Sequence, residues 1–312
     1  MYTVDVVIPT YKPTKQFETL ITKLEEQSLP IHKIILMNTE EKYFEQLFYG
    51  TGFLEKYQNI EVHHLSCKEF DHGRTRDRGI QYSTADIVIC MTHDAVPANQ
   101  FLVEKLVKAL EQKDVVAAYA RQLPNRGCDI TERYTRHFNY PASSRVKTMN
   151  DVEELGIKTF FCSNVCAAYW KKVYDRLGGF TRKTIFNEDM IYAAKAVKAG
   201  YGIAYAADAK VIHSHNYTCM QQLKRNFDLG VSQADHPEVF EGISSTGEGI
   251  KLVKKTITFL KSKGLYRKIP GLIVKSGFKY IGFWLGKHYK KLSRRMILRC
   301  TMNQNYWENN TL

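Results

Sequence analysis

Asp94 stands three residues after the end of the uninterrupted apolar run Ile87-Val88-Ile89-Cys90-Met91 and three residues before Pro97. A lone carboxylate at the carboxyl end of a buried strand is where an α/β sheet places its ligand chemistry, although Asp94-Ala95-Val96-Pro97 also reads as a plain turn. Glu188 and Asp189 follow Asn187, a residue suited to a helix N-cap, so both acids fall in a first turn where the helix dipole favours the ionised form. An ionised carboxylate there can take a proton from a hydroxyl, or merely satisfy the dipole. His213 and His215 close the strand-like stretch 210–212, and residues two apart on an extended segment point the same way. Both rings are therefore able to face one crevice, or to be an ordinary pair of histidines. Arg74, Arg76 and Arg78 follow Asp71-His72-Gly73 at a helix start, where backbone amides and guanidinium groups make a natural anion site. Arg74 and Arg76 do not share a helical face, so one meets the anion while another is a solvated surface charge. Cys162 and Cys166 invite a zinc reading with the histidines, but no second cysteine pair supports it.

These side chains need a scaffold, and the hydrophobic pattern supplies one. Strand patterns cover 3–8, 31–37, 59–65, 86–91 and 115–119, with helix-compatible stretches between most of them, including 98–110. Such alternation predicts an α/β fold, a Rossmann-like, mainly parallel sheet with flanking helices, whose ligands gather at the carboxyl ends of the strands. With 312 residues, the chain holds one such domain and an appendage. Seven scattered cysteines and an opening that lacks a signal-peptide apolar region favour a reducing cytoplasm without disulfides. The net charge of +13 is localised: residues 251–299 carry 15 of the 45 Lys and Arg and no Asp or Glu, leaving 30 basic against 32 acidic residues elsewhere. Basic residues are thus not spread over the main domain as phosphate-backbone binding requires, and nucleic acid is not expected as a partner.

The order of the pieces resembles the family 2 glycosyltransferases of the GT-A fold. The opening Val4-Asp5-Val6-Val7-Ile8-Pro9-Thr10-Tyr11 is similar to the family's first strand. Glu69-Phe70-Asp71-His72-Gly73-Arg74-Thr75-Arg76-Asp77, Tyr119-Ala120-Arg121-Gln122-Leu123-Pro124 and Val211-Ile212-His213-Ser214-His215 look like its rhamnosyltransferase branch. The resemblance implies a GT-A domain over 1–235, with a nucleotide-sugar half at about 1–120 and an acceptor half at about 121–235. It implies an inverting transfer of a sugar, L-rhamnose from dTDP-L-rhamnose with a UDP-hexose as the alternative donor, to a hydroxyl of a lipid-linked glycan. Donor contacts are expected from Pro9, Thr10, Tyr11, Asn38, Glu40, Arg74, Arg76, His93 and Asp94. Asp189 is expected as the base with Glu188 supporting it, and Asn164 and Trp170 on the acceptor side, although Trp170 also reads as a core residue. Where the family shows Asp-x-Asp, this chain has Thr92-His93-Asp94, so Asp94 needs His213 or His215 to hold Mg²⁺ or Mn²⁺. That missing carboxylate also motivates the competing reading, a catalytically silent scaffold or membrane-recruited partner.

Residues 236–312 are read as a basic amphipathic helical region. Val274, Phe278, Ile281, Leu285, Tyr289 and Leu292 share one helical face, and Lys275, Lys279, Lys287, Lys290 and Arg294 fall elsewhere. The charges recur too often for a membrane span, so the helix is expected to lie on an anionic membrane surface at the inner face of the cell membrane. Packing on the catalytic domain is the alternative.

Overall fold

Apolar runs that are continuous rather than alternating make strands covered on both faces, and such strands dominate the computed structural model, which describes residues 2–241 and 246–308. The first half of the chain holds β1 (Val4–Tyr11), α1 (Lys15–Glu25), β2 (Lys33–Thr39), α2 (Glu41–Phe48), α3 (Phe53–Lys56), β3 (Ile60–Leu65), α4 (His72–Gln81), β4 (Ile87–Met91), β5 (Val96–Pro97), α5 (Leu102–Leu110), β6 (Val115–Leu123) and α6 (Ile130–Asn139). There follow β7 (Arg145–Lys147), α7 (Val152–Leu155), β8 (Cys166–Trp170), α8 (Lys171–Arg176), α9 (Glu188–Lys198), β9 (Gly202–Ile212), α10 (Cys219–Asp235) and α11 (Pro237–Phe240). The C-terminal region is helical: α12 (Thr246–Ser262), α13 (Ile269–Lys287), α14 (Arg294–Cys300) and α15 (Gln304–Glu308).

The nine strands form one sheet in the order β3-β2-β1-β4-β8-β6-β9-β5, with β7 also on β9. The pairings of β1 with β2 and β4, of β2 with β3, and of β6 with β9 are parallel as expected. β8 enters between β4 and β6 against their direction, so both of its pairings are antiparallel. Residues 166–170, outside the strand patterns read from the sequence, form a strand that is buried from Cys166 to Tyr169, and α8 begins at Lys171. The small Ala167 and Ala168 sit between Cys90, Ile89 and Tyr119, Ala118 of the neighbouring strands, where larger side chains would separate the layers. Since β1, β4, β6 and β9 all run the same way, their carboxyl ends share one edge, and the segment leading into β8 lies on that edge too.

Two cores cover the faces of the sheet. On one, Phe17, Leu20, Ile21 and Leu24 of α1 join Leu102, Val103, Leu106 and Leu110 of α5. On the other, Ile80 of α4 and Ile191, Tyr192 and Val197 of α9 pack with Tyr169, Tyr174 and Phe180. A register shift between β6 and β9, after Ala120, inserts extra residues into β9 and re-aims the ends of both strands.

The C-terminal helices are seated on the domain. α13 lies against α10 so closely that a Cβ at Gly282 would stand 2.1 Å from the Leu223 carbonyl oxygen and one at Gly286 2.1 Å from that of Phe227. Phe227 and Val231 of α10 share a cluster with Tyr289, Ile297, Tyr306 and Trp307. Val239 and Phe240, past the boundary drawn at 235, belong to the α9 core. The single amphipathic face read from the sequence is split. α13 ends at Lys287, Tyr289 is buried with its hydroxyl donating to Asp235 Oδ1 (2.6 Å), and Leu285 and Leu292 pack on the third cluster. What remains in solvent is a stripe of Ile273, Val274, Tyr280, Ile281 and Trp284. Among the described residues no helix is long and apolar enough to cross a membrane.

Candidate active site

Asp94 lies in the turn between β4 and β5, closed by Ala95 N–H to the Thr92 carbonyl (3.1 Å), so the turn reading holds. The end of β9 brings two imidazoles to it: His213 Nε2 is 3.6 Å from Asp94 Oδ1 and His215 Nε2 3.3 Å from Oδ2. The two Nε2 atoms are 3.0 Å apart, and one ligand atom from each of the three residues falls within 4.8 Å of the others. His213 is buried, and its Nδ1 meets Gln122 Oε1 at 3.1 Å. An amide oxygen accepts only, so Nδ1 carries the proton and Nε2 presents its lone pair to the crevice. Arg136 Nη1 donates to the same Gln122 oxygen, and Gln122 Nε2 donates to Ser163 Oγ (3.1 Å), which locks the amide. Burial, the nearby His213 ring and Arg225 push His215 down to about 4 although Asp94 opposes them, so its ring is neutral at pH 7. One carboxylate with two imidazole nitrogens is a fitting donor set for a divalent cation, with borderline nitrogen favouring Mn²⁺ over Mg²⁺. His93 is half-buried beside Asp94.

The acid pair lies close by. Asn187 occupies the N-cap of α9, but in the left-handed region (φ 66°), and its side chain donates to Ser232 Oγ (3.1 Å) instead of capping. One orphan amide of the helix start is met by Asp189 itself, whose Oδ1 accepts from Met190 N–H (2.8 Å), while its Oδ2 accepts from Asn164 N–H of the segment before β8 (2.8 Å). Glu188 is buried, 3.2 Å from Arg76 Nη1 and accepting from Asn164 Nδ2 (3.1 Å). The environments drive the two acids apart. Burial and the charge of Glu188 push Asp189 up to about 7, whereas Glu188, although burial opposes it, is held low by Arg76. A carboxyl held near neutrality beside one that stays ionised is an arrangement able to serve general-base chemistry. Asn164, expected on the acceptor side, thus holds both acids, and Tyr169 O–H donates to its Oδ1 (2.8 Å).

Residues 163–165 join the two groups. Ser163 receives Gln122 behind His213, the Asn164 amide holds Asp189, and the Val165 carbonyl accepts from Thr92 N–H (3.2 Å), two residues before Asp94.

At the β1 and β2 ends, Pro9, Thr10 and Tyr11 are the last residues of the strand rather than a loop, and Pro9 lies beyond the final pairing with β4, where no amide is needed. Asn38, expected against the base or ribose, is fully buried between Thr10 Oγ1 (3.2 Å) and His64 Nδ1 (3.0 Å). Glu40 adopts φ 63° and accepts from Cys67 N–H (2.7 Å). Tyr11 is exposed and meets Tyr43 edge-on at 5.6 Å, with Lys12 Nζ about 5 Å over both rings. Tyr43 completes that aromatic platform and was not foreseen, because a lone tyrosine on a short helix carries no signal.

Three expectations are corrected. The helix start at α4 is not open to an anion: Asp71 itself accepts from Gly73 and Arg74 N–H (2.9 Å each), and the segment at Thr181 presses on Gly73. Arg76 is turned inward to Glu188, whereas Arg74 stays exposed and donates to the Glu69 carbonyl (2.7 Å). Trp170 lies at the opposite edge of the sheet, paired with Ile87 at the start of β4, its Nε1 donating to the Leu110 carbonyl (3.1 Å). Cys166 is in β8 opposite Met91, away from the histidines, and all seven cysteines are free. Gln122 was quoted within a motif but given no role, and Arg136 and Ser163 carried no signal. Arg76→Ala is expected to destabilise the fold by about 3–5 kcal/mol, since it strands a buried carboxylate; urea denaturation measures it.

Residues 5–178 match the family model described as Glycosyl transferase family 2. The chain is 34% identical over 308 residues to the O-antigen chain rhamnosyltransferase RfbN of Salmonella typhimurium, covering 98% of this chain and 96% of that protein. It is 38% identical over 247 residues to the O-antigen chain rhamnosyltransferase WbaN of Salmonella anatum, covering 78% of each. In structure it is similar to the mannosyltransferase PcManGT from Pyrobaculum calidifontis, solved with GDP-Man and Mn²⁺, with a TM-score of 0.58 at 14% identity over 99% of this chain and 86% of that one. The likeness to S. aureus TarS has a TM-score of 0.51 at 13% identity, over 93% and 91%. On these matches the chain is an enzyme of the GT-A fold that belongs to glycosyl transferase family 2.

Proposed function

We propose that the chain transfers L-rhamnose from dTDP-L-rhamnose, with inversion, to a hydroxyl of a lipid-linked glycan during synthesis of an O-antigen-like cell-surface polysaccharide. The observation that carries this reading is the joining of Asp189, with its raised pKa, to the Asp94-His213-His215 group through residues 163–165. Likeness to RfbN and WbaN supports the donor and the glycan class. Asp94, His213 and His215 would hold a divalent cation, which when bound supplies positive charge to the donor diphosphate. Ionised Asp189 accepts the proton of the acceptor hydroxyl as its oxygen bonds to the anomeric carbon. The bond from that carbon to the diphosphate oxygen breaks on the opposite face, and the nucleoside diphosphate leaves with the electron pair. Arg76 keeps Glu188 ionised, and Glu188 keeps the Asp189 proton affinity high. Tyr11 and Tyr43 offer the base a stacking surface.

Turnover measured on dTDP-L-rhamnose, UDP-glucose and GDP-mannose tests the donor: release of dTDP in the presence of Mn²⁺ is expected from the first alone, and turnover of UDP-glucose instead would overturn the assignment. A protein that turns over none of the three would favour the silent scaffold.

The stripe Ile273, Val274, Tyr280, Ile281 and Trp284, flanked by Lys275, Lys287, Lys290 and Lys291, suits the headgroup layer of an anionic cytoplasmic leaflet. Each basic residue near such a surface contributes on the order of 1 kcal/mol. Co-sedimentation with phosphatidylglycerol vesicles but not with phosphatidylcholine vesicles is expected, and the double variant Ile281→Glu, Trp284→Glu should lose about 10-fold or more in partitioning. Equal binding to both vesicles would remove the charge argument.

A further inference from the structure

The mechanism above leaves one buried cation unused. Lys147, the last residue of β7, is 4% exposed, and among the described residues it makes no ion pair. Pairing with Ile203 of β9 fixes its backbone. Its Nζ donates to the Lys158 carbonyl (3.0 Å) and to the Phe161 carbonyl, and it stands 4.8 Å from the centre of the Tyr119 ring. Asp151, whose charge favours the ammonium, is engaged elsewhere, with Arg145 (2.5 Å) and with the Thr148 N–H (2.8 Å). Burial, with Arg145 adding to it, pushes Lys147 down to about 7 against the opposing Cys162 and Asp151. An ammonium taken out of water without a counter-ion costs stability. The groups it meets instead are two main-chain carbonyls and a ring face, which together use its three donors.

Those carbonyls belong to the approach to the acid pair. Phe161 N–H closes a turn onto the Lys158 carbonyl (3.1 Å), so the Lys147 Nζ grips both ends of one turn. From there the chain runs through residues 161–163 without helix or strand to Asn164. The Asn164 N–H donates to Asp189 Oδ2 (2.8 Å), and its side chain donates to Glu188 Oε1 (3.1 Å). With no ladder along 161–163, the stretch is held from the Lys147 end and, beyond Asn164, by the bond between the Val165 carbonyl and Thr92 N–H. We propose that Lys147 is a positioning residue for the base: its grip on the turn at 158–161 sets the Asn164 amide where it orients Asp189 toward the acceptor hydroxyl. The inference rests on the reading of Asp189 as the base. An apolar side chain could fill the same space but could not hold two carbonyls. Misplacement of a reacting group by ~1 Å costs on the order of 100-fold in rate, and the grip lies three residues from Asn164.

Donor turnover by the full chain, read as dTDP release from dTDP-L-rhamnose in Mn²⁺, tests this with Lys147→Met made in wild type and in Asp189→Asn. In wild type the change is expected to lower kcat by about 10- to 100-fold with dTDP affinity within about 2-fold. Asp189 then lacks a fixed amide partner for its charged form, so the acidic limb of kcat/KM should move up by about 0.5–1 pH unit. In Asp189→Asn the same change should cost less than about 2-fold, because residues that act as a unit are not additive. Lys147→Gln, which keeps a donor for one carbonyl, should fall between wild type and Lys147→Met, and it carries the same comparison where Lys147→Met does not fold. Equal losses in the two backgrounds, or an unmoved limb, mark a purely structural role and overturn the inference. An Asp189→Asn protein with wild-type kcat would instead overturn the base reading itself, whatever Lys147 does.

Discussion

Asp189→Asn is expected to lower kcat by about 10³-fold while leaving dTDP affinity within about 2-fold of wild type. The amide preserves shape and the contact with Asn164 but cannot take a proton from the acceptor. The pH dependence is the sharper test. Asp189 sits at about 7 because it is buried and because Glu188 is charged beside it, and it works only when ionised. Activity should therefore be present above about pH 7 and fall tenfold per unit as pH drops through it. The stability sign is the reverse: a carboxyl whose folded pKa is raised is easier to ionise in the unfolded chain, so this residue costs stability as pH rises from about 4 toward 7. Arg76→Met should move the activity limb, because Glu188 loses the cation that keeps it charged and so ceases to raise Asp189. A pH profile of kcat/KM for wild type and Arg76→Met reads both effects. An unshifted limb would place the ionisation elsewhere.

His213→Ala is expected to weaken Mn²⁺ by about 100-fold or more and to remove turnover at micromolar metal, with partial return at millimolar Mn²⁺. Of the two histidines it is the buried one, and its tautomer is enforced from behind by Gln122, so its loss removes the most pre-organised donor. Gln122→Leu leaves all three ligands in place and should still cost 10- to 100-fold in Mn²⁺ affinity. Both are measured by calorimetry or by the spin resonance of free Mn²⁺, independently of turnover. Chelation of wild type should abolish dTDP release, and Mn²⁺ should restore it better than Mg²⁺. Full activity after exhaustive chelation would leave the Asp94 group without a catalytic role.

The grouping of these three residues was legible because strand alternation and strand order are local properties: His213 and His215 lie two apart, and Asp94 closely follows an apolar run. The same holds for the pair at the α9 start. The difference in their proton affinities was not legible, since Arg76, which holds Glu188 low, lies far away in sequence and reads as an anion ligand on its own helix. Its inward direction, toward Glu188, is a tertiary fact with no local sign. β8 was missed for a similar reason. Five residues of small and aromatic type fit a helix start as well as a strand, and only the gap between β4 and β6 decides. In α13 the single apolar face read from the sequence is split, and the face that packs is marked by Gly282 and Gly286, which a count of apolar residues passes over.

The glycine contact between α10 and α13 sets a length scale for catalysis at a surface. Helices normally pack with axes ~8–10 Å apart, and glycines at the crossing bring them to the short end of that range. α13 carries the exposed apolar stripe on one side and α10 on the other, and α10 carries Arg225 beside the acid pair. With the stripe resting on a bilayer as proposed, the crevice stands above the lipid by little more than the thickness of two helices, and it cannot rise or sink independently. The enzyme then acts as a depth gauge: an acceptor is extended when its free hydroxyl lies at that height, so the reach of the glycan above the lipid, as much as its chemistry, selects which intermediate is elongated.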